Sequence, residues 1–368
     1  CVLFIAYVYF GYPLTLWFLT RNIGLIFPAN VYSKDVTILM VVCNEEKNIE
    51  RKINNLLSLA FSGNKTIIIV DDNSDDNTRE IIAQYSNEVT MVHSSVRSGK
   101  TNGLNLGMKF VNTELVMMVD CRQRINEDAL VHLSSWFESS SNIGAVSGEL
   151  MFEVQPNEEF SASMDGYWKY EKFIRKSEAK LNSVPGVTGA IYMMKVELFR
   201  ELPIDTLLDD VQIPMQCCDQ GYRVVFDDRA IAWDQPSSSP DKEKLRKIRT
   251  LSGNYQLLFR YPQWIVPTLH PIWWQFFSHK ISRLLAPFVG VLSIFLSFGL
   301  YQMGTQAYIY YTVLASSLLM LLPISLVFPS ITKIKYLKMV CSFLILNWFC
   351  VLAAFRYAAV GTSGAWKR

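Results

Sequence analysis

The stretch Thr66–Ser74, TIIIVDDNS, decides the fold, and Leu115–Cys121, LVMMVDC, repeats its pattern later in the chain. Each stretch is a short run of β-branched and apolar residues that ends in acid, which is typical of a buried parallel strand reaching the carboxyl edge of a sheet. Open α/β sheets bind their ligands at that edge. We therefore expect Asp71, Asp72 and Asp120 to lie near one crevice, where carboxylates suit a ligand with hydroxyl groups, a base edge or a metal. Each acidic end could instead be a turn that caps the next helix, but the repetition favours a shared crevice.

Strand and helix patterns alternate around these two stretches. The strand-like segment Asp35–Cys43, DVTILMVVC, is followed by a helix that opens at Asn44 with acidic residues in its first turn, which suit the helix dipole. Alternation at this spacing predicts a doubly wound sheet with helices on both faces. The further predicted elements are strand Thr66–Asp72, helix Asn77–Tyr85, strand Val89–His93, helix Lys100–Phe110, strand Leu115–Asp120 and helix Glu127–Phe137.

The apolar residues of this 368-residue chain concentrate at its two ends. Residues 1–20 and 284–332 contain no charged side chain, and a helix of about 20 apolar residues covers the hydrocarbon core of a bilayer. We predict a transmembrane helix in residues 1–28 and about three more in residues 284–368. A secretory signal is the weaker interpretation of the first segment, because it lacks a basic leading region and a small-residue cleavage site. The three C-terminal spans are predicted near 284–302, 307–328 and 337–356.

The segment 266–283 is predicted to be an amphipathic helix in the membrane interface, because it combines aromatic residues and cations just before an apolar run. The loop before the last span holds Lys333, Lys335 and Lys338, and the positive-inside rule places such a loop in the cytoplasm. These features predict a multi-pass protein of the plasma (inner) membrane whose catalytic domain is cytoplasmic. Counting the spans leaves the C-terminus outside, whereas Trp366–Arg368 favours the inside, so both sides stay open for the C-terminus.

Composition argues against several other classes of protein. A net charge of +2, without an extended basic block apart from the helix Asp241–Leu258, argues against nucleic acid as a partner. Seven cysteines without paired spacing favour reduced thiols that face the cytoplasm. The four histidines do not cluster in the sequence as the ligands of a metal site would.

Four further segments are candidates for ligand contacts. Arg97–Gly103, RSGKTNG, is only superficially like a phosphate-binding loop because it lacks the leading glycine, but it could bring Lys100 near a nucleotide. Ser183–Met194, SVPGVTGAIYMM, is small and glycine-rich, which either lets a sugar ring approach the backbone closely or makes an ordinary loop and strand. Thr206–Asp210, TLLDD, ends an apolar run in two acids that would face the same crevice. The basic face of Asp241–Leu258 is more often a solvated or lipid-facing surface than a binding site.

Taken in order, these motifs resemble the family 2 glycosyltransferases. They are strand-NEE, VDDNS, VDCRQ, VTGAIY, LDDV and the arginine-containing helix, flanked by apolar helices. More narrowly, the chain is similar to the membrane-bound synthases of bacterial polysaccharides, the group that holds cellulose, hyaluronan and poly-N-acetylglucosamine synthases. The resemblance implies an α/β fold, with a GT-A-type doubly wound mixed sheet as the catalytic domain over residues 29–265 and flanking transmembrane helices.

The resemblance also implies roles for residues on the donor side. Asp72 matches the acid that contacts the uracil of a bound nucleotide, and Asn44 and Glu45 match the nucleotide-side loop. Asp120 matches the first acid of the family's DxD element, which binds the diphosphate through a divalent metal, here expected to be Mg²⁺ or Mn²⁺. Lys100 is expected to bind the nucleotide sugar as well.

Other residues match positions around the acceptor and the leaving group. Asp210 matches the general base that takes the proton from the acceptor hydroxyl, and we expect Asp209 and Gly189 to lie beside the acceptor. Arg249 matches the arginine of the family's QxxRW element, which steadies the diphosphate leaving group. Arg246 is expected to add a second cation there.

Two positions depart from the family's pattern. The second acid of DxD is replaced by Arg122, which removes one metal ligand and adds a fixed positive charge near the diphosphate. The QxxRW element reads RKIRT at Arg246–Thr250, without its glutamine and its tryptophan. Metal dependence and the acceptor contact of the tryptophan are therefore open.

The sequence thus predicts a membrane-integrated, inverting glycosyltransferase that uses a nucleotide sugar, a UDP-sugar, to extend a β-linked polysaccharide. One alternative is a non-processive transferase that acts on a polyprenyl phosphate or diacylglycerol. Another is a catalytically inactive subunit that binds a sugar nucleotide. The predicted partners are the donor, a glycan or lipid-linked acceptor, the lipid bilayer and an accessory membrane subunit.

Overall fold

The computed structural model describes residues 1–24, 26–153, 161–235, 240–328 and 334–361. Within these residues an eight-stranded mixed sheet has the order β3-β2-β1-β4-β7-β6-β8-β5. The strands are β1 Val36–Val42, β2 Lys65–Asp71, β3 Val89–His93, β4 Leu115–Val119, β5 Arg124–Ile125, β6 Ile143–Phe152, β7 Ile191–Lys195 and β8 Arg223–Asp234.

Strands β1 to β4 form a parallel half-sheet whose carboxyl ends share one edge. Val42 of β1 lies opposite Asp71 of β2, and β4 pairs with β1 on the other side. Every residue of β4 is buried, as expected for a strand covered on both faces. Asp72 and Asp120 directly follow β2 and β4, so the predicted acidic ends reach the same edge.

Strand β7 makes the sheet mixed, because it runs antiparallel to β4 on one side and to β6 on the other. Apolar cores cover both faces of the sheet. Leu39 of β1 enters one core, whereas Ile38 and Met40 enter the other, since successive side chains of a strand point to opposite faces. The predicted doubly wound mixed sheet is confirmed.

Helices surround the sheet and continue beyond it at both ends of the chain. Tyr7–Gly11 and Phe277–Ile281 are π-helical turns, and Val196–Leu198 and Pro262–Ile265 are short 3₁₀ turns. The α-helices are α1 Val2–Ala6, α2 Tyr12–Thr20, α3 Ile49–Leu57, α4 Thr78–Ala83, α5 Lys100–Met108, α6 Ala129–Ser139, α7 Ser161–Leu181, α8 Asp209–Asp219, α9 Pro240–Arg260, α10 Trp273–Phe276, α11 Ser282–Gln302, α12 Tyr308–Val327 and α13 Lys335–Val360.

Four helical segments are long and apolar enough to cross a membrane, and they flank the sheet domain as predicted. They are Val2–Thr20, Trp273–Gln302, Tyr308–Ser325 and Tyr336–Ala359. Three of them contact the sheet domain directly, and the segment Trp273–Gln302 does so through His279, whose Nδ1 atom lies 2.9 Å from Glu178 of α7. The Tyr12 hydroxyl donates a 2.6 Å hydrogen bond to Glu178 of α7, and the Ser252 hydroxyl of α9 donates to the carbonyl of Ala353 in α13.

The predicted interfacial segment is continuous with the first C-terminal span. Helices α10 and α11 are joined by the π-helical turn Phe277–Ile281, so one helical path runs from Trp273 to Gln302. The domain boundaries at 28, 265 and 283 therefore stay predictions. Lys333 and Trp366–Arg368, on which the predicted orientation partly rests, lie outside the described residues.

Candidate active site

Asp72 organises the loop that begins α5. Its side chain is buried, and its two carboxylate oxygens accept 2.8 Å hydrogen bonds from the backbone N–H groups of Ser98 and Gly99. Gly99 has a φ of 87°, a conformation that favours glycine. Asp72 thus fixes the backbone just before Lys100, which is the first residue of α5.

The neighbouring Asp71 stabilises the same edge of the sheet through its own hydrogen bonds. It is fully buried, and its carboxylate accepts hydrogen bonds from Arg79 at 3.1 Å and from the backbone N–H of Ser74 at 3.2 Å. The Nδ1 atom of His93 lies 3.1 Å from the same carboxylate. Asp71 is therefore occupied by structural contacts, while Asp72 faces the α5 loop.

The loop after β1 and the loop after β2 are joined by hydrogen bonds. Asn44 and Asn73 both have positive φ, 57° and 54°, which asparagine tolerates better than most residues. The Asn44 side-chain oxygen accepts a 2.8 Å bond from the backbone of Asp75, and Arg97 donates to the carbonyl of Asn73 at 3.1 Å. The backbone N–H of Glu45 donates to Thr78. These polar loops form one rim of the sheet edge.

Lys100 bridges two acids that come from distant parts of the chain. Its Nζ atom lies 2.9 Å from Oδ1 of Asp120 and 3.2 Å from Oδ2 of Asp209. Burial opposes the charged form, but Asp120, Asp209 and Asp210 outweigh this effect and raise the pKa of Lys100. The lysine therefore remains a cation between the end of β4 and the start of α8.

Asp210 lies in the first turn of α8, beside this bridge. Burial and the adjacent Asp209 raise the pKa of Asp210 to about 6, while Lys100 and Lys280 act in the opposite direction. A Cβ atom on Gly189 would lie 3.7 Å both from Oδ2 of Asp210 and from Nζ of Lys100. We call the space bounded by Lys100, Asp120, Gly189 and Asp210 the crevice.

The loop Val184–Gly189 forms the wall of the crevice next to Asp210. The backbone N–H of Val187 donates a 2.7 Å hydrogen bond to the carbonyl of Asp210. Arg175 of α7 donates to the hydroxyl of Thr188 at 2.8 Å and to that of Ser147 at 2.7 Å. The wall is thus tied to α8, to α7 and to β6.

Helix α9 packs against the segment that leads into Asp209. A Cβ atom on Gly253 would lie 2.5 Å from Cγ of Leu208, and Gln256 accepts a 2.9 Å bond from the backbone of Leu207. Arg249 lies one turn before Gly253 on this helix and is half-buried. Arg246 pairs with Glu243 on α9 itself, at 2.7 Å.

Arg122, which the sequence predicts near the diphosphate, is paired with a buried acid. Its Nε and NH2 atoms donate to the two carboxylate oxygens of Asp234 at 3.0 and 2.8 Å, and Gln123 donates to the same carboxylate. Asp234 ends β8 and is almost fully buried, so its charge needs these partners. The guanidinium is therefore engaged away from Asp120.

The residues around Asp120 fit a divalent ion only if phosphate oxygens of the donor also coordinate that ion. No group of three or more His, Cys, Asp or Glu side chains suited to a metal occurs within the described ranges. Asp120 supplies one carboxylate that is partly exposed. Mg²⁺ is commonly bound by one or two carboxylates together with substrate phosphates, and a single exposed carboxylate at a sheet edge meets that requirement.

Cations in two places at the site were missed by sequence reasoning, a pair on α3 and a single lysine. Lys52 of α3 is buried and donates a 2.8 Å bond to the carbonyl of Gln123, and burial lowers its pKa to about 7. Arg51 donates to the carbonyl of Arg122, so α3 clamps the turn after Asp120. The only signal was a basic pair inside a helix with an apolar face. The single lysine, Lys280, lies in the predicted interfacial segment.

Comparisons with known proteins show which proteins this chain is similar to. The model of the family described as glycosyl transferase family 2 matches residues 37–203. Poly-beta-1,6-N-acetyl-D-glucosamine synthases of Staphylococcus aureus (strain COL) and Staphylococcus epidermidis are each 24% identical over 230 residues, covering 61% of this chain and 56% of theirs. The chain thus matches little more than half the length of these relatives.

A solved structure shares the fold. The mannosyltransferase PcManGT from Pyrobaculum calidifontis, in complex with GDP-Man and Mn²⁺, superposes with a TM-score of 0.72 at 18% identity. The match covers 96% of this chain and 97% of that one. The GT-A-type fold expected from the sequence is confirmed, and so is the resemblance on which it was based.

Proposed function

We propose that the chain transfers a sugar with inversion from a nucleotide sugar to a growing β-linked glycan at a membrane. The match of residues 37–203 to the glycosyl transferase family 2 model supports this proposal. The observation that carries this proposal is the Lys100 bridge between Asp120 and Asp209, next to Asp210. It joins a donor-side acid and an acceptor-side acid pair across one crevice. The relatives that the chain resembles are synthases of a β-linked polysaccharide.

On the donor side, we assign the nucleotide to the rim formed by Asn44, Glu45 and the Asp72 loop. We propose a UDP-sugar as the donor. Its diphosphate would lie against Lys100 and Asp120, where a fixed cation stabilises the negative charge that develops as the bond to the sugar breaks. A divalent ion held by Asp120 and the diphosphate would add Lewis-acid stabilisation of the same charge. Arg249, on the helix that packs beside Asp209, is the further cation proposed for this leaving group.

On the acceptor side, Asp210 would act as the general base. The acceptor hydroxyl loses its proton to Asp210 while its oxygen bonds to the anomeric carbon. The bond from that carbon to the diphosphate oxygen breaks on the opposite face, and its electron pair leaves with the nucleoside diphosphate. Gly189 leaves space for the acceptor beside Asp210, since a Cβ atom there would fill the gap toward Lys100.

The four apolar helical segments support a position in a membrane, with the sheet domain on its cytoplasmic side. Helices α2 and α13 contact α7 and α9, which in turn border the crevice. A glycan made at the crevice would therefore be close to the bilayer. We propose the plasma membrane as the location and the residue ranges 29–265 and 284–368 as the catalytic and membrane regions.

The proposal is tested with the full chain in detergent or in vesicles, incubated with a panel of UDP-sugars and GDP-mannose. We expect one UDP-sugar to be consumed with release of UDP, and mass spectrometry of the product to show a series of added sugars. The Asp128→Asn variant, which removes an exposed acid outside the crevice, serves as the control. Binding of a nucleotide sugar without transfer to any acceptor would contradict the proposed activity, and addition of one sugar only would contradict chain extension.

A further inference from the structure

Lys280 is a half-buried cation on the acceptor side of the crevice. It belongs to the π-helical turn Phe277–Ile281, at the start of the apolar path Trp273–Gln302. Its Nζ atom lies 3.6 Å from the position of a Cβ atom on Gly186, and the carbonyl oxygen of Asp210 lies 3.5 Å from the same position. Lys280 therefore faces the wall of the crevice next to the proposed base.

Two of the acids whose charges act on Lys280 already have other partners. Glu178 accepts from the Tyr12 hydroxyl at 2.6 Å and lies 2.9 Å from Nδ1 of His279. Glu171 contacts the other ring nitrogen of His279 and pairs with Arg283 at 3.0 Å. Within the part of the chain that the structure describes, Lys280 itself forms no ion pair with a carboxylate.

A cation in this position needs a counter-charge. Removing an ammonium group from water is unfavourable unless an anion and hydrogen bonds compensate. The charges of Glu171, Asp210 and Glu178 act on Lys280, and that of Arg175 opposes them, but none of these acids forms an ion pair with it. An anionic ligand that enters beside Gly186 would supply the missing partner.

The surroundings of Lys280 are held in place by protein contacts. Arg175 donates to Thr188 and lies 3.4 Å from the carbonyl of Gly186, which fixes the loop that Lys280 faces. The π-helical turn is fixed in turn by His279 between its two glutamates. The cation and the loop wall therefore form a preorganised pair rather than two mobile surface groups.

We propose that Lys280 binds a phosphate group of the acceptor that receives the first sugar, and that this first acceptor is a saccharide carried on a lipid phosphate or diphosphate. This inference rests on the proposed function and names the acceptor class for the same crevice. The sugar hydroxyl would reach Asp210 while the phosphate stays at Lys280, beside the adjacent Gly186. A lipid carrier fits because the helix that bears Lys280 continues as an apolar segment of membrane-spanning length.

The experiment uses the full chain in phosphatidylcholine vesicles and two matched acceptors. One is N-acetylglucosamine joined to farnesol through a diphosphate, and the other is the same sugar joined to farnesol directly. In Lys280→Met we expect the KM for the diphosphate acceptor to rise about tenfold to hundredfold, as for loss of a charged hydrogen bond. Measured at about pH 8.5, where Asp210 is ionised in both proteins, the ratio of the KM values for the two acceptors should rise by the same factor, and the KM for the donor should stay within about twofold. Lys280→Arg should retain most of the affinity, and Lys244→Met, an exposed lysine on α9, should behave as wild type.

A second measurement uses the wild-type protein, so it does not depend on the folding of a variant. Farnesyl diphosphate without sugar should inhibit the wild-type protein competitively against the diphosphate acceptor, whereas farnesol should not. An equal loss with both acceptors in Lys280→Met would overturn the inference, because Lys280 would then act on Asp210 or on folding. A KM that depends on added phosphatidylglycerol for both acceptors would also overturn it, since the phosphate would then belong to the bilayer.

Failure of the proposed function would give a different result from failure of the phosphate site alone. If the wild-type protein uses the phosphate-free acceptor and Lys280→Met changes neither KM, the transferase stands and the phosphate site is wrong. If the wild-type protein transfers sugar to neither acceptor from any UDP-sugar, the proposed function and this inference fail together.

Discussion

The donor side and the acceptor side of the crevice are built in different ways. Donor-side contacts join loops that follow neighbouring parallel strands, as when Asp72 after β2 binds the backbone of Gly99 after β3. Acceptor-side contacts join α7, α8, the loop Val184–Gly189 and the apolar helical path that bears Lys280. The proposed donor side is therefore organised within one half-sheet, whereas the proposed acceptor side requires the apolar helical segments to dock on the sheet domain.

Because the two sides are built differently, substitutions on each side should have different effects. Changes on the acceptor side should lower transfer while nucleotide binding survives. Changes on the donor side should alter nucleotide binding itself.

Asp210→Asn should reduce kcat for sugar transfer by about 10²–10⁴-fold, because a positioned general base contributes that much. Donor binding, followed by the fluorescence of a labelled nucleotide, should change by less than about threefold if the two sides are separate. Asp128→Asn is the matched control on an exposed acid. Transfer at the wild-type rate in Asp210→Asn would rule out this residue as the base.

Lys100→Met should lower kcat/KM by about 10²–10³-fold, as expected when a preorganised cation at a developing charge is removed. Lys100 touches acids of both sides, so its loss should affect the donor KM and kcat together. Lys109→Met, at the exposed end of the same helix, is the control. An effect confined to kcat would assign Lys100 to the acceptor side alone.

Activity should fall as the pH drops through about 6. Burial and Asp209 raise the pKa of Asp210 to about 6, so its carboxyl group takes up a proton at a higher pH than an ordinary aspartate. The protonated form cannot accept the hydroxyl proton, and kcat/KM should fall about tenfold per pH unit on the acidic side. In Asp209→Asn the acidic limb should move to lower pH, because a like charge has been removed. A limb that stays in place would show that a different group controls it.

Asp72→Asn should raise the donor KM severalfold and lower the free energy of unfolding by about 1–3 kcal/mol. An amide has only one acceptor oxygen, so one of the backbone N–H groups of Ser98 and Gly99 would face the NH₂ group. Kinetics and thermal unfolding check the two effects. The KM for the acceptor should not change in Asp72→Asn. A rise in that KM alone would contradict the separation of the two sides.

The smallest effect on catalysis is expected for Arg122→Ala. Its guanidinium is bound to Asp234, so the loss should appear as a lower free energy of unfolding, by about 1–2 kcal/mol after discounting for the half-exposed side chain. Denaturant unfolding measures this, and kcat/KM should stay within about threefold. A larger loss of kcat/KM at unchanged stability would favour the diphosphate contact that the family resemblance implies.

Much of the donor side could be predicted from the sequence. The runs TIIIVDD and LVMMVD each carry β-branched and apolar residues that end in acid, and strands of this kind place their acids at one edge whatever the rest of the chain does. Asp72 and Asp120 could therefore be predicted as site residues from local sequence patterns. The contact that Asp72 makes could not be predicted in this way. A sequence does not show that its carboxylate binds the backbone before Lys100.

The acceptor side was decided by tertiary packing. Asp210 was found through a motif, but burial and Asp209 raise its pKa, whereas Lys280, which is far away in the sequence, acts in the opposite direction. Arg122 is a further case, since its partner Asp234 lies on another strand of the sheet. Sequence alone determined that acids end the strands and that apolar helices flank the domain, because both follow from local residue patterns. Which cation meets which acid was set only by the folded structure, because Coulomb interactions depend on distance in space and not on separation along the chain.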